Sequence, residues 1–163
     1  MIRKNYQLVS TLFIALVTVL FVSCNPSKKY EEEEKASIQD YLASHPEQNF
    51  ELKSSGLYYF DVVVGTGLTP EDLDTTYVKY TIKFLDGQVF DTNVGTDDTL
   101  VFLSNAGLYP VGFEEGVSYM KVGGKALFLT PSKLAYGTSG TYYIPGYTPL
   151  LFDVELVRLI PGP

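Results

Sequence analysis

The sequence predicts an α+β fold, a curved antiparallel sheet wrapped around a single short helix. Three observations predict it. Apolar residues alternate with period two in several runs after Gly56. Only one stretch between those runs has helical spacing, GFEEGVSYMKVGG, where Phe113, Val117 and Met120 fall at i, i+4 and i+7. Aromatics are abundant, 13 Tyr and 10 Phe with no Trp, which favours strands or an aromatic-lined pocket.

The elements follow in order. LYYFDVVV (57–64) is the first strand candidate. YVKYTIKF (77–84) alternates cleanly, with Val78, Tyr80, Ile82 and Phe84 on one side and Tyr77, Lys79, Thr81 and Lys83 on the other. One face is therefore expected to be buried and one wet. Asp86-Gly87 then signals a hairpin turn, with GQVFDT (87–92) as the return strand. TLVFL (99–103) precedes the helix. Glu114 and Glu115 occupy the helix's first turn, where they complement its dipole, and Gly123-Gly124 ends it. KALFLT (125–130) and LLFDVELVRL (150–159) complete the sheet. Gly65-Thr66-Gly67 reads as a turn, because it lacks the following helix and spacing of a phosphate-binding motif.

Phe113 opens the helix and so belongs at one end of the core. Phe90, Tyr136, Tyr142 and Tyr143 also fall at element ends. Brought together, these rings would line a cup at the open end of the sheet. Phe113 is then either plain core or the floor of a binding site.

Ahead of the folded part, Arg3 and Lys4 precede an apolar run from Leu8 to Val22, followed by Ser23 and Cys24. That is the layout of a secretory signal over residues 1–23, and the run is short for a membrane span. A lone cysteine at the end of such a run resembles the lipobox of bacterial lipoproteins. Phe21 stands where that pattern prefers Leu. An ordinary cleaved signal and an uncleaved anchor are the other readings. Acyl chains on Cys24 would anchor an exported protein to a membrane, at the periplasmic face or the cell surface. Residues 24–55 read as a tether containing a short helix, with a narrow stripe of Ile38, Tyr41 and Leu42 and a stop at or before His45 imposed by Pro46. Glu31 to Glu34 is either a solvated helix start or a sorting signal. The folded domain is expected over 56–163.

The rest of the composition excludes whole classes. Net charge is −7, and the basic residues are scattered, which argues against a nucleic-acid partner. One cysteine and one histidine, His45, allow no disulfide within the chain. They are also too few for a thiolate–imidazole metal site.

VKYTIKFLDGQVFDTN, VGFEEGVSYMKVGGKALFLTPSKLAYG and IPGYTPLLFDVELVRL stand in this order over about residues 56–159. Together they resemble the FKBP family of peptidyl-prolyl cis–trans isomerases. The resemblance implies a five- or six-stranded antiparallel half-barrel around one short helix. It implies an aromatic pocket that acts without a cofactor or metal and assists the folding of exported proteins by turning over proline-containing segments. Carried over position by position, it implies pocket walls from Tyr80, Phe90, Ile144 and Phe152, with Phe113 at the floor. Tyr136 would bond the ligand carbonyl, and Asp91 would polarise the amide or anchor the polar rim. Tyr109 and Tyr143 would add substrate contacts.

Three features depart from the family pattern. Pro110 stands where the family's backbone N–H bonds the ligand, and proline has none. Phe113 replaces the usual Trp. TYYIPGYTP is unusually rich in tyrosine and proline. These leave an alternative, an FKBP-like binding module or chaperone with little turnover.

Overall fold

The computed structural model describes residues 26–163. The signal segment and Cys24 lie outside the described residues. Residues 31–163 form one compact unit. The element order is α1 (Pro26–Ser44), β1 (Glu51–Leu52), β2 (Tyr58–Val63), β3 (Thr75–Phe84), β4 (Val89–Thr92), β5 (Leu100–Leu103), α2 (Val111–Ser118), β6 (Lys125–Thr130), a single 3-10 turn (Ser132–Leu134) and β7 (Leu150–Ile160). All strand pairings are antiparallel, in the order β1-β2-β6-β7-β3-β4, with β5 also on β3. The α+β half-barrel expected from the sequence is thus present. The two-residue β1 brings the strand number to seven.

Strand β3 is the spine. Thr75–Phe84 runs against the whole of β7, from Ile160 to Leu150. Its other edge is divided. β5 pairs with Thr75–Val78, and β4 pairs with Thr81–Lys83. Backbone groups between those two partners still need hydrogen bonds. The Asn93 side chain supplies them. Its Oδ1 accepts the Tyr80 N–H at 2.7 Å and its Nδ2 donates to the Val78 carbonyl at 3.1 Å. The Asp86-Gly87 turn forms as the dipeptide predicts. The Phe84 carbonyl accepts the Gly87 N–H at 3.0 Å, and the Phe84 N–H donates to Gln88 at 2.9 Å. Gly87 takes φ 90°, which makes this a three-residue hairpin loop with glycine in the left-handed position.

The inner face carries the main core. Val78, Ile82, Phe128, Phe152, Val154 and Leu156 are buried beneath Phe113, Val117 and Met120 of the helical segment. Gly116 lets the helix approach closely, since a Cβ there would meet the Phe128 ring at 2.4 Å.

The outer face is not uniformly wet. Leu127, Leu129 and Leu151 are buried there with Ile38 and Tyr41 of α1, and Leu42, Phe50, Tyr58, Phe60 and Leu85 pack around them. The helix read from sequence as part of a tether is therefore docked on the sheet from Glu31 onward. It ends at Ser44, as Pro46 demands. Ile38→Ala should cost about 2–5 kcal/mol in urea unfolding, the usual range for a truncated core aliphatic. A loss below about 0.5 kcal/mol would mean that α1 contributes nothing to the sheet's outer cover.

Candidate functional site

At the N-terminal end of α2 the inner face is incompletely covered. A cavity of about 120 Å³ opens there, lined by Tyr80, Ile82, Asp91, Leu100, Tyr109, Pro110, Phe113, Tyr136 and Phe152. Tyr80 and Ile82 come from β3, two residues apart on one face. Phe152 faces Ile82 from β7. Phe113 forms the floor. It is 3% exposed, and its ring lies 5.5 Å from both Phe102 and Phe152 and 5.8 Å from Tyr109, all tilted. Such tilted pairs lock ring orientation.

The approach to α2 is pinned by Glu114. Its carboxylate accepts the Tyr109 N–H at 2.9 Å and the Gly107 N–H at 3.1 Å. This fixes the loop that delivers Tyr109 and Pro110 to the cavity wall. Pro110 caps the helix with its carbonyl, which accepts the N–H groups of Phe113 and Glu114 at 2.9 and 3.1 Å. Its ring nitrogen offers no donor.

The polar side chains of the lining are Tyr80, Asp91, Tyr109 and Tyr136. Tyr80 Oη donates to Asp91 Oδ2 at 2.7 Å, and the other carboxylate oxygen accepts the Thr92 N–H at 2.8 Å. Desolvation, then the hydrogen bond and charge of Asp91, push the Tyr80 hydroxyl up to about 12. Burial, then the Asp91 charge, also raise the Tyr136 hydroxyl. Both phenols are neutral donors at ordinary pH. Tyr80's proton is committed to Asp91. The Tyr136 hydroxyl has no hydrogen-bond partner among the described residues. The cavity can therefore hold a small apolar group and offer the Tyr136 hydroxyl as an uncommitted donor to a carbonyl oxygen.

Six of the residues expected from the sequence converge here: Tyr80, Asp91, Tyr109, Phe113, Tyr136 and Phe152. Three lie elsewhere. Ile144 is 1% exposed within the core. Phe90 packs edge-on against Phe84 at 6.0 Å and, with Tyr143, lines a neighbouring depression that shares Asp91. β4 carries a bulge there: Ile82 pairs with Asp91, but Lys83 pairs with Val89, so Phe90 is the extra residue. Its ring still packs against the main core. Sequence reasoning missed Ile82 and Leu100. Ile82 was available from its alternation with Tyr80. Leu100 was not, because the β3–β5 register that places it opposite Val78 has no local signal. Among the described residues no three His, Cys, Asp or Glu side chains are placed to hold a metal ion.

The family model for the FKBP-type peptidyl-prolyl cis-trans isomerase matches residues 67–157. The chain is 38% identical over 117 residues to the FKBP-type peptidyl-prolyl cis-trans isomerase FkpA of Escherichia coli strain K12, covering 72% of this chain and 43% of that protein. It is 43% identical over 106 residues to FK506-binding protein 4 of Dictyostelium discoideum, covering 63% of this chain and 28% of that one. The chain thus spans less than half the length of either relative. The crystal structure of FkpA from Escherichia coli superposes with a TM-score of 0.74 at 30% identity, over 98% of this chain and 74% of that one.

The raised Tyr80 hydroxyl has a consequence for stability. Between its ordinary value of 10.0 and about 12 the folded chain holds a proton that the unfolded chain releases. Stability must therefore fall as pH rises through that window. Tyr41, Tyr119 and Tyr136 are raised too and add to the slope. Urea unfolding from about pH 9 to 12 should show this decline, and Tyr80→Phe should make it shallower. An unchanged slope in the variant would mean that the Tyr80 hydroxyl is not held by Asp91.

Proposed function

Because the chain belongs to the family of FKBP-type peptidyl-prolyl cis-trans isomerases, we propose that its cavity binds proline-containing polypeptide segments and speeds rotation about the bond before the proline. The observation that carries this reading is the aromatic cavity that brings Tyr136 together with the hydrogen-bonded Tyr80–Asp91 pair. Phe113, Phe152, Ile82 and Leu100 form apolar walls, and Tyr136 offers a free hydroxyl.

The chemistry asks for little more. Rotation about a peptide bond faces a barrier of about 18–20 kcal/mol, because resonance keeps the amide planar. The same resonance makes the planar amide polar, and twisting reduces that polarity. An apolar site that excludes water favours the less polar, twisted form over the planar one. Catalysis follows from binding the twisted form best. In this chain the proline ring would rest on Phe113, and Tyr136 Oη would donate to the carbonyl preceding the proline. With both oxygens of Asp91 occupied by Tyr80 and Thr92, its role is to anchor the polar rim. No nucleophile, general base, metal or cofactor enters the cycle. Folding of exported proteins is the corresponding task.

The reading extends to the N-terminus. Residues 1–23 act as a signal, Cys24 is lipidated, and the folded unit, which takes in α1 as well as the expected domain over 56–163, works at a membrane surface. The Leu8–Val22 run ending on the sole cysteine supports this. No helix among the described residues is long and apolar enough to cross a membrane. Cys24→Ser should move the protein from the detergent phase to the aqueous phase and abolish labelling by a radioactive fatty acid. Unchanged partition would exclude the lipid anchor.

Prolyl isomerisation in short proline peptides, followed by NMR exchange, tests the activity. The native chain should accelerate exchange, and Tyr136→Phe should lower kcat/KM by roughly three- to tenfold, the worth of about one hydrogen bond. With both phenols neutral, kcat/KM should stay flat from about pH 7 to 9. Peptide binding without acceleration would make the domain a binding module instead.

A further inference from the structure

We propose that Glu34, on α1, is a positioning residue for the cavity, acting through Ser132 on the turn that carries Tyr136. Glu34 lies outside the residues that match the family model. Of the four glutamates from Glu31 to Glu34 it alone is half-buried.

Both carboxylate oxygens of Glu34 are used on one residue. Oε1 accepts the Ser132 N–H and Oε2 accepts the Ser132 hydroxyl at 2.8 Å. A carboxylate at the first N–H of a helical turn is favoured by the turn's orphan donors and its dipole. Ionic acceptors also make the stronger class of hydrogen bond. Ser132 is 4% exposed, so without Glu34 two donors would lose their partner at a nearly dry site, which is costly.

Ser132 then passes this restraint on. Its carbonyl accepts the Ala135 N–H at 2.9 Å and the Gly137 N–H at 2.7 Å. Those are the two amides flanking Tyr136. The same turn also abuts the cavity helix. A Cβ on Gly112 would meet Thr130 Cγ2 at 2.5 Å and Leu134 Cβ at 3.1 Å. The loop's C-terminal side has bonds of its own, from the Gly140 N–H to the Tyr136 carbonyl at 3.1 Å and from the Tyr147 N–H to the Gly137 carbonyl at 3.0 Å, but its N-terminal root is Ser132, and that root is held by a side chain 98 residues away in sequence. Tyr80, by contrast, is mounted on β3 and held by Asp91 and Asn93. Glu34 does not reach it by any such chain of bonds.

The functional half of this proposal rests on the isomerase reading, and the structural half does not. The test uses the full chain in detergent micelles with ring-labelled tyrosine. The Tyr136 and Tyr80 signals are assigned by Tyr136→Phe and Tyr80→Phe. Glu34→Ala should shift or broaden the Tyr136 ring signal while leaving Tyr80 in place, and lower kcat/KM for a proline peptide on the order of tenfold, as displaced binding groups do. Glu34→Gln should recover both readouts, because its amide can accept the Ser132 N–H and donate to the Ser132 hydroxyl. An unmoved Tyr136 signal in Glu34→Ala overturns the proposal. So does an equal change at Tyr80, which would mean general loss of structure. If the native chain gives no acceleration, the isomerase reading fails while the two ring signals still decide whether Glu34 positions Tyr136.

Discussion

The structure depends on one constraint: β6 and β7 are apolar on both faces, so the middle of the sheet must be covered twice. Phe128 and Phe152 point inward and are closed off by α2. Leu127, Leu129 and Leu151 point outward and are closed off by Ile38 and Tyr41 of α1. A sheet with one uncovered apolar face would expose a patch that a soluble domain avoids. The two helices are therefore not interchangeable additions. Each is required by one set of alternate residues on the same two strands.

The inner cover is too short for its task, and the cavity is the result. Eight residues of α2 extend about 12 Å at 1.5 Å per residue. Ten residues of β3 extend about 33 Å. Gly116 sets the helix tightly on Phe128, so the shortfall collects at the helix ends instead of being spread as a loose fit. At the N-terminal end Phe113 turns the gap into a floored cup, and the loops bearing Tyr109 and Tyr136 form its rim. Phe113 is thus both the first residue of the core face and the base of the cavity.

That much of the fold was legible in local sequence. Period-two alternation marked β3 and β7, Asp86-Gly87 marked the hairpin, and the i, i+4, i+7 spacing marked α2 and its Phe113. The outer cover was harder to see, because Ile38, Tyr41 and Leu42 make only a narrow stripe. The better signal lay in the partner surface. ALFL at 126–129 and LLF at 150–152 are continuous apolar runs, the signature of strands buried on both faces. Phe90 illustrates the other limit. Alternation cannot reveal a bulge, and the extra residue in β4 is Phe90, whose ring packs on Phe84 instead of lining the cavity. Ser132 and Glu34 had no sequence signal at all, since their contact is purely tertiary.

The two cavity tyrosines show why such a tertiary contact matters. Tyr80 sits on the most extensively paired strand, and its proton is already given to Asp91. A hydroxyl has one proton to donate, so Tyr80 cannot also donate to an incoming carbonyl while that bond holds. Tyr136 is left as a donor for a ligand, and it stands on a loop outside the strands. A site that works by orientation and by excluding water loses most when a free donor drifts. The rigid strands can fix the apolar walls unaided. The donor stands on a turn and needs a restraint from outside the sheet. In this fold the root of that turn is held from the outer face by α1, the helix that had to be there to cover Leu127, Leu129 and Leu151.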